Sequence, residues 1–336
     1  MINTEWIRRV LAHEDGLPVP FNLSLSPPAR RKLADPYGLG EIEEILGLPL
    51  RLRGPKSIKP LYASPQDFGD RARDEFGVVW TTSDLDRGAP IGHPLTEPTL
   101  RGFAFPDPAA SHRFGSLGPW CQRNAANYAI LGVGDLWERA TFLCGMERLL
   151  LWVALEPEFV DALLDGLAEG ILRTMDILFE RFTFDGVSLS DDYGTQKAML
   201  ISPAAWRRFI RPRLAAIFGK AKAAGKTVFL HSCGHIRPIV PDLIDLDLDI
   251  LHPIQPEAMD ILELKREFGR HLTFCGGLGT QDLLVNATPQ EIRREVQRLQ
   301  REMGRGGGYI LEPGITLQAD VPLENMVAMI DEARAE

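Results

Sequence analysis

The sequence predicts an α/β fold, a single (β/α)8 TIM-barrel domain over residues 1–336. Three observations lead there. From Thr227 onward, short apolar runs alternate with amphipathic helical segments, the pattern of a parallel sheet joined by right-handed crossovers. A length of 336 residues suits one such barrel. No GxGxxG turn follows any strand candidate, so an open dinucleotide-binding sheet fits less well.

In chain order, PVPFNLSLS (18–26) reads as a first strand and ARRKLAD as helix. Residues 45–125, with DEFGVVW, GHPLTEPTL and FPDP, are rich in proline and turn residues. They predict a loop-rich segment covering the barrel mouth, and no second strand is legible there. YAILGVG, from Tyr128, is the next strand, followed by a helical run to about Val153. Glu156–Phe182 is the clearest helix. Pro157 takes its first position, and Phe159, Leu163, Leu167, Ile171, Met175, Leu178 and Phe182 share one face. GVSLSD (186–191) is a strand, and Ser202 caps a helix with Pro203 just inside. Strand TVFLHSC then leads to helical IRPIVPDLID, strand LDILHPI and helix EAMDILELKREF, which stops at Gly269. LTFCGG is the next strand. A capping box at Thr288 and Glu291 opens a helix to about Gly304, and strand GYILEPG precedes a last helix from about Pro322. The strand count suits eight.

Composition narrows the function classes. A hydrophobic share of 45% can build a substantial core, and a formal net charge of −9 without a long basic run argues against nucleic acid. The opening MINTEWIRRVLAHEDG lacks the apolar core of a signal peptide, and no segment approaches a membrane span. Four cysteines do not make a disulfide framework. A cytoplasmic, reduced protein is expected.

In a barrel the working face lies at the carboxyl ends of the strands. The polar residues expected there are Asp191, Asp192 and Tyr193; His231 and Cys233; His252; Cys275; and Glu312. Side chains alternate along a strand, so His231 and Cys233 point the same way and form half of a zinc site. With Cys275 they give an N/S2 donor set, borderline-soft as zinc prefers, with a fourth position open as in a catalytic site. Cys275 reads equally well as a small buried hydrophobe. A Cys/His nucleophile pair is the weaker use of His231 and Cys233.

One of Asp191 and Asp192 is expected to cap its loop, while the other holds substrate or moves a proton. Glu312, inside apolar YILEP, is a ligand, a partner of a ligand, or an acid of raised pKa. His252, between Leu251 and Pro253, reads as structural at least as readily as ligating. Cys121 and Cys144 are assigned to packing, and Arg207, Arg208, Arg211 and Arg213 to a solvated helix face.

HSCGHIRPIVPDLIDLDLDILHPIQP (231–256), DDYGTQ (191–196), FCGGLGTQDLL (274–284) and the stretch from GGYI to DVPLEN (307–325) resemble the uroporphyrinogen decarboxylase superfamily. DEFGVVW and FPDP extend the resemblance to the amino-terminal half. The HxCG motif is similar to that of the corrinoid-dependent methyltransferase branch, whose members bind zinc through His-x-Cys and a later cysteine. The RQAGRY motif of the metal-independent decarboxylases has no match. The later cysteine of the coenzyme M enzymes falls in a PGC-like turn, where this chain has Pro313-Gly314-Ile315. Only His231 and Cys233 therefore carry over, with Cys275 or Glu312 as the remaining ligand.

The resemblance implies a methyltransferase with zinc and a corrinoid, moving a methyl group between a small methylated substrate or thiol and a corrinoid protein. Asp191, Asp192, Tyr193 and Glu312 are the catalytic candidates. The alternatives are a metal-independent decarboxylase and a barrel that binds a small ligand or corrinoid without chemistry. Fold alone does not choose among them.

Overall fold

The computed structural model describes residues 3–38 and 40–335. Its main sheet has seven parallel strands: β1 (Leu50–Arg53), β5 (Tyr128–Gly134), β6 (Gly186–Ser190), β7 (Thr227–His231), β8 (Ile250–Ile254), β9 (Thr273–Leu278) and β10 (Tyr309–Pro313), adjacent in that order. A smaller antiparallel sheet comprises β2 (Arg71–Arg73), β3 (Val79–Thr81) and β4 (Pro90–Gly92). Helices join the parallel strands, so the alternation read from Thr227 onward holds.

The sheet curls but does not close into eight strands. Residues 18–26, expected as the first strand, lie parallel to the far edge through two isolated bridges, Phe21 to Leu311 and Leu25 to Leu317. Among the described residues no ladder joins them to β1. Pro18 and Pro20 supply no backbone N–H, which limits how far this segment can pair.

Among the elements that were illegible, two shape the main sheet. β1 reads LRLR, and its two arginines hide the strand signal; Arg51 is nonetheless buried, donating to Asn124 Oδ1 at 3.1 Å and to the carbonyl oxygens of Leu48 and Glu43. The helix Asn3–Leu11 buries Ile7 and Val10 against the barrel floor of Leu50, Tyr128, Ile130, Phe229, Ile250, Cys275 and Ile310.

Elsewhere the local signals act as read. Pro157 starts the helix Pro157–Arg181, Ser202 Oγ accepts from Ala205 N at 3.1 Å, and the Thr288–Glu291 capping box is present. The helix expected from Glu257 begins only at Ile261, because the Asp260 carboxylate caps it by accepting from Glu263 N at 2.9 Å. The run to Val153 is two helices, Trp137–Cys144 and Met146–Leu155, broken at Gly145, whose φ of 82° ends the first.

Register places the site. Ser190 pairs with His231, and His231 with His252, so one layer of the sheet carries both imidazoles above the apolar floor. Beyond Leu251 the register shifts, at the proline that cannot donate to the ladder.

Candidate metal centre and cavity

Two donor clusters meet at the ends of β6 to β10. In the first, Asp192 Oδ1 and Cys233 Sγ each lie 3.4 Å from His231 Nε2. In the second, Cys275 Sγ lies 3.1 Å and His252 Nε2 3.7 Å from Glu312 Oε2. Within each cluster the ligand atoms are within 4.8 Å of one another. The clusters touch where His231 Nδ1 meets His252 Nδ1 at 2.9 Å.

The first cluster is held by its loops. Gly194 follows Asp192 and Tyr193, and Gly234 follows Cys233. A Cβ on Gly194 would come within 2.7 Å of the Cys233 oxygen, and one on Gly234 within 2.5 Å of the Gly194 carbonyl carbon. Gly234 also has φ +81°, where a side chain is strained. The two turns thus pack backbone to backbone. Cys233 N donates to Asp192 Oδ1 at 2.9 Å, Gly234 N to Gln255 Oε1 at 2.6 Å, and Tyr193 N to Ser232 Oγ at 3.1 Å. Burial alone would lower the His231 pKa, but the hydrogen bonds and charges of Asp192 and Cys233 outweigh it and raise it to about 10. Burial likewise opposes ionisation of Asp192, and the His231 contact reverses the sign, leaving its pKa below the ordinary value.

Asp191 and Tyr193 face the other way. Asp191 is buried and accepts from Leu136 N at 3.2 Å, Glu138 N at 2.7 Å and Tyr193 Oη at 2.6 Å. Its carboxylate therefore anchors the start of the helix Trp137–Cys144. Burial raises its pKa to about 7 against these donors, and burial with the neighbouring Asp191 pushes the Tyr193 phenol well above its usual value.

Glu312 is also buried. It accepts from Asn22 Nδ2 at 2.8 Å, Ser24 Oγ at 3.0 Å and Cys275 Sγ. Burial raises its pKa, and burial with the Glu312 charge keeps the Cys275 thiol protonated. His252 is pushed well below its usual value by burial and by His231. Cys275 thus groups with Glu312 and His252, while Asp192 stands beside His231 and Cys233. The pairing of Asp192 was not readable in sequence, because it depends on how two loops pack.

His231 and His252 line a cavity of about 570 Å³. Ser188, Ser190 and Phe229 also line it, and many of its lining residues come from 52–113. Glu138 and Arg139 also line it, as do Trp80, Phe105 and Phe142. Phe105 lies so close to Gly166 that a Cβ there would meet the ring at 2.3 Å, so only glycine lets this aromatic reach its place. Burial, then the charges of Asp135 and Asp192, raise the Glu138 pKa to about 7. An acid with that value in a cavity is a proton-transfer candidate. Its only sequence signal was an ordinary helical glutamate.

Cys121 and Cys144 are buried in the main core, as assigned. Arg207 and Arg211 pair with Asp242, and Arg213 with Asp161 and Asp165, on outer helices. Among the described residues, no helix is long and apolar enough to cross a membrane.

Among solved structures, this chain is similar to a methyltransferase from Methanosarcina mazei, at 17% identity and a TM-score of 0.73. The match covers 99% of this chain and 98% of that one, a likeness of fold. No curated protein matches the sequence. The model of the family described as uroporphyrinogen decarboxylase (URO-D) matches residues 129–336, more than half of the chain. This chain belongs to the uroporphyrinogen decarboxylase (URO-D) family.

Proposed function

We propose that this protein is a zinc-dependent methyltransferase that moves a methyl group between a small methylated compound or thiol and a corrinoid carried by a separate protein. The observation that carries the reading is the gathering of Asp192, His231 and Cys233 donor atoms beside a cavity that His231 itself lines. One nitrogen, one sulfur and one oxygen suit zinc better than magnesium or calcium, and three protein donors are typical of a catalytic site. Zinc held there would serve as a Lewis acid toward the atom that bears or receives the methyl group.

The chain's own groups supply the rest. His252 faces the Nδ1 of His231 and orients that ring, as a partner of a ligating histidine does. Glu138 holds a proton near neutral pH and can deliver it to a departing oxygen, nitrogen or sulfur. Asp191 and Tyr193 act by fixing the loop and helix that carry Asp192 and Glu138. The segment 45–125 covers the mouth of the curled sheet, and the corrinoid protein docks there. Four free cysteines fit a reducing cytoplasm. The Methanosarcina mazei neighbour is a methyltransferase, which favours the same reaction class.

The family's namesake reaction is the second reading, favoured by the family match. It wants an arginine-rich cleft with Asp191 near its centre; Arg87, Arg113 and Arg139 line the cavity, but Asp191 is turned into the backbone.

The test is a spectrophotometric screen of zinc-loaded protein with cob(I)alamin and methoxy, methylamino and methylthio compounds. Growth of the methylcobalamin band with one class, lost in Cys233→Ala, is expected. Decarboxylation of a porphyrinogen by metal-stripped protein would overturn it.

A further inference from the structure

Glu312, on β10, reaches His252, on β8, across the intervening strand β9. The Glu312 side chain is 3% exposed and that of His252 12%, so little water screens one from the other. Asn22 Nδ2 and Cys275 Sγ donate to Glu312 Oε2 at 2.8 and 3.1 Å, and Ser24 Oγ donates to Oε1 at 3.0 Å. Three groups thus donate to this carboxyl, as an ionised carboxylate requires. Burial, the largest influence, opposes the charge, and these donors offset part of that opposition.

His252 presents two nitrogens to two partners. Its Nδ1 faces His231 Nδ1 at 2.9 Å, and its Nε2 lies 3.7 Å from Glu312 Oε2, a charge contact rather than a hydrogen bond. A neutral imidazole carries one proton. Beside an ionised Glu312 that proton favours Nε2, where the N–H dipole points at negative charge. Nδ1 is then a lone pair, so His231 donates to it from its own Nδ1. The lone pair of His231 Nε2 is left facing Asp192 and Cys233. Phe229 packs beside His252, ring centres 5.0 Å apart, and restricts rotation of the ring.

The same charge acts on ligand strength. A cation at His231 Nε2 makes the Nδ1–H more acidic, so it leans harder on His252. Positive charge gathers on His252, and Glu312 stabilises it. The basicity of a ligating histidine rises when its other nitrogen has such a partner.

We propose that Glu312 is a positioning residue for the metal centre: through His252 it sets the proton arrangement that frees His231 Nε2 for a metal ion, and it tightens that ion's binding without touching it. This role rests on the zinc reading above. It assigns His252, Cys275 and Glu312 to the support of one ion rather than to a second one.

The test measures zinc affinity by competition with a chromophoric chelator in the unmutated protein, Glu312→Gln and Asn22→Ala. Glu312→Gln keeps the shape and removes the charge, and should weaken zinc about tenfold. Asn22→Ala removes a hydrogen bond to Glu312 Oε2 but leaves the charge, and should hold zinc as the unmutated protein does. Unchanged affinity in a folded Glu312→Gln overturns the proposal. Equal weakening in both variants also overturns it, since packing alone would then be at stake. Nitrogen NMR of the zinc-loaded, unmutated protein, labelled at its histidines, needs no variant to fold. His252 should carry its proton on Nε2 and His231 on Nδ1; a proton on His252 Nδ1 overturns the proposal. Unmutated protein that holds no zinc sinks the metal reading together with this one. Tight zinc that ignores Glu312 sinks this one alone.

Discussion

His231 Nδ1 stands 2.9 Å from His252 Nδ1, a contact with room for one proton. If a metal takes His231 Nε2, the neutral ring carries its proton on Nδ1 and donates it to His252. His252 must then hold its own proton on Nε2, the atom facing Glu312, and cannot ligate there. The two donor clusters therefore exclude one another.

The first prediction follows. Metal analysis of purified protein should give about one zinc per chain, not two. His231→Ala or Cys233→Ala should lose it, and Cys275→Ala should keep it. Loss in Cys275→Ala with retention in Cys233→Ala would place the metal in the cluster of His252, Cys275 and Glu312.

His252→Ala should leave the stoichiometry unchanged and weaken zinc about 10- to 100-fold, the usual effect of removing a partner of a ligating histidine. Competition with a chromophoric chelator measures this. Unchanged affinity would remove His252 from the site.

Asp191→Ala should be a stability variant. It strips acceptors from two backbone N–H groups and the Tyr193 hydroxyl, all buried, at a cost of about 2–4 kcal/mol. Urea unfolding reads the loss. A folded Asp191→Ala of wild-type stability with abolished activity would instead make Asp191 a chemical participant.

Glu138 sets a pH prediction. Its folded pKa, about 7, lies above the unfolded value of 4.5, so between those values the folded chain holds the extra proton. Stability from this group is complete below 4.5 and is lost as pH rises through 7, by up to about 3 kcal/mol. Urea midpoints at pH 5, 6, 7 and 8 should show a smaller decline in Glu138→Gln than in wild type. Parallel curves would show that the group titrates normally.

Much of the parallel sheet was readable because its strands are short, apolar and bounded by helix caps such as Thr288 and Ser202. β1 was not, since Arg51 is buried by hydrogen bonds that no periodicity announces. The pairing of His231 with Cys233 was legible from strand alternation. Asp192 joining them, Cys275 leaving for Glu312, and Glu138 entering the cavity all depend on contacts between distant segments. Spacing within one segment carries no trace of those.

The backbone contact between Gly194 and Gly234 has a thermodynamic consequence. Two turns clamped face to face hold carboxylate, thiol and imidazole in company before any ion arrives, so capture need not freeze a wandering loop. A single methyl group grafted onto either glycine would pry the turns apart. Such a protein would keep every donor atom and is expected to hold added zinc more weakly.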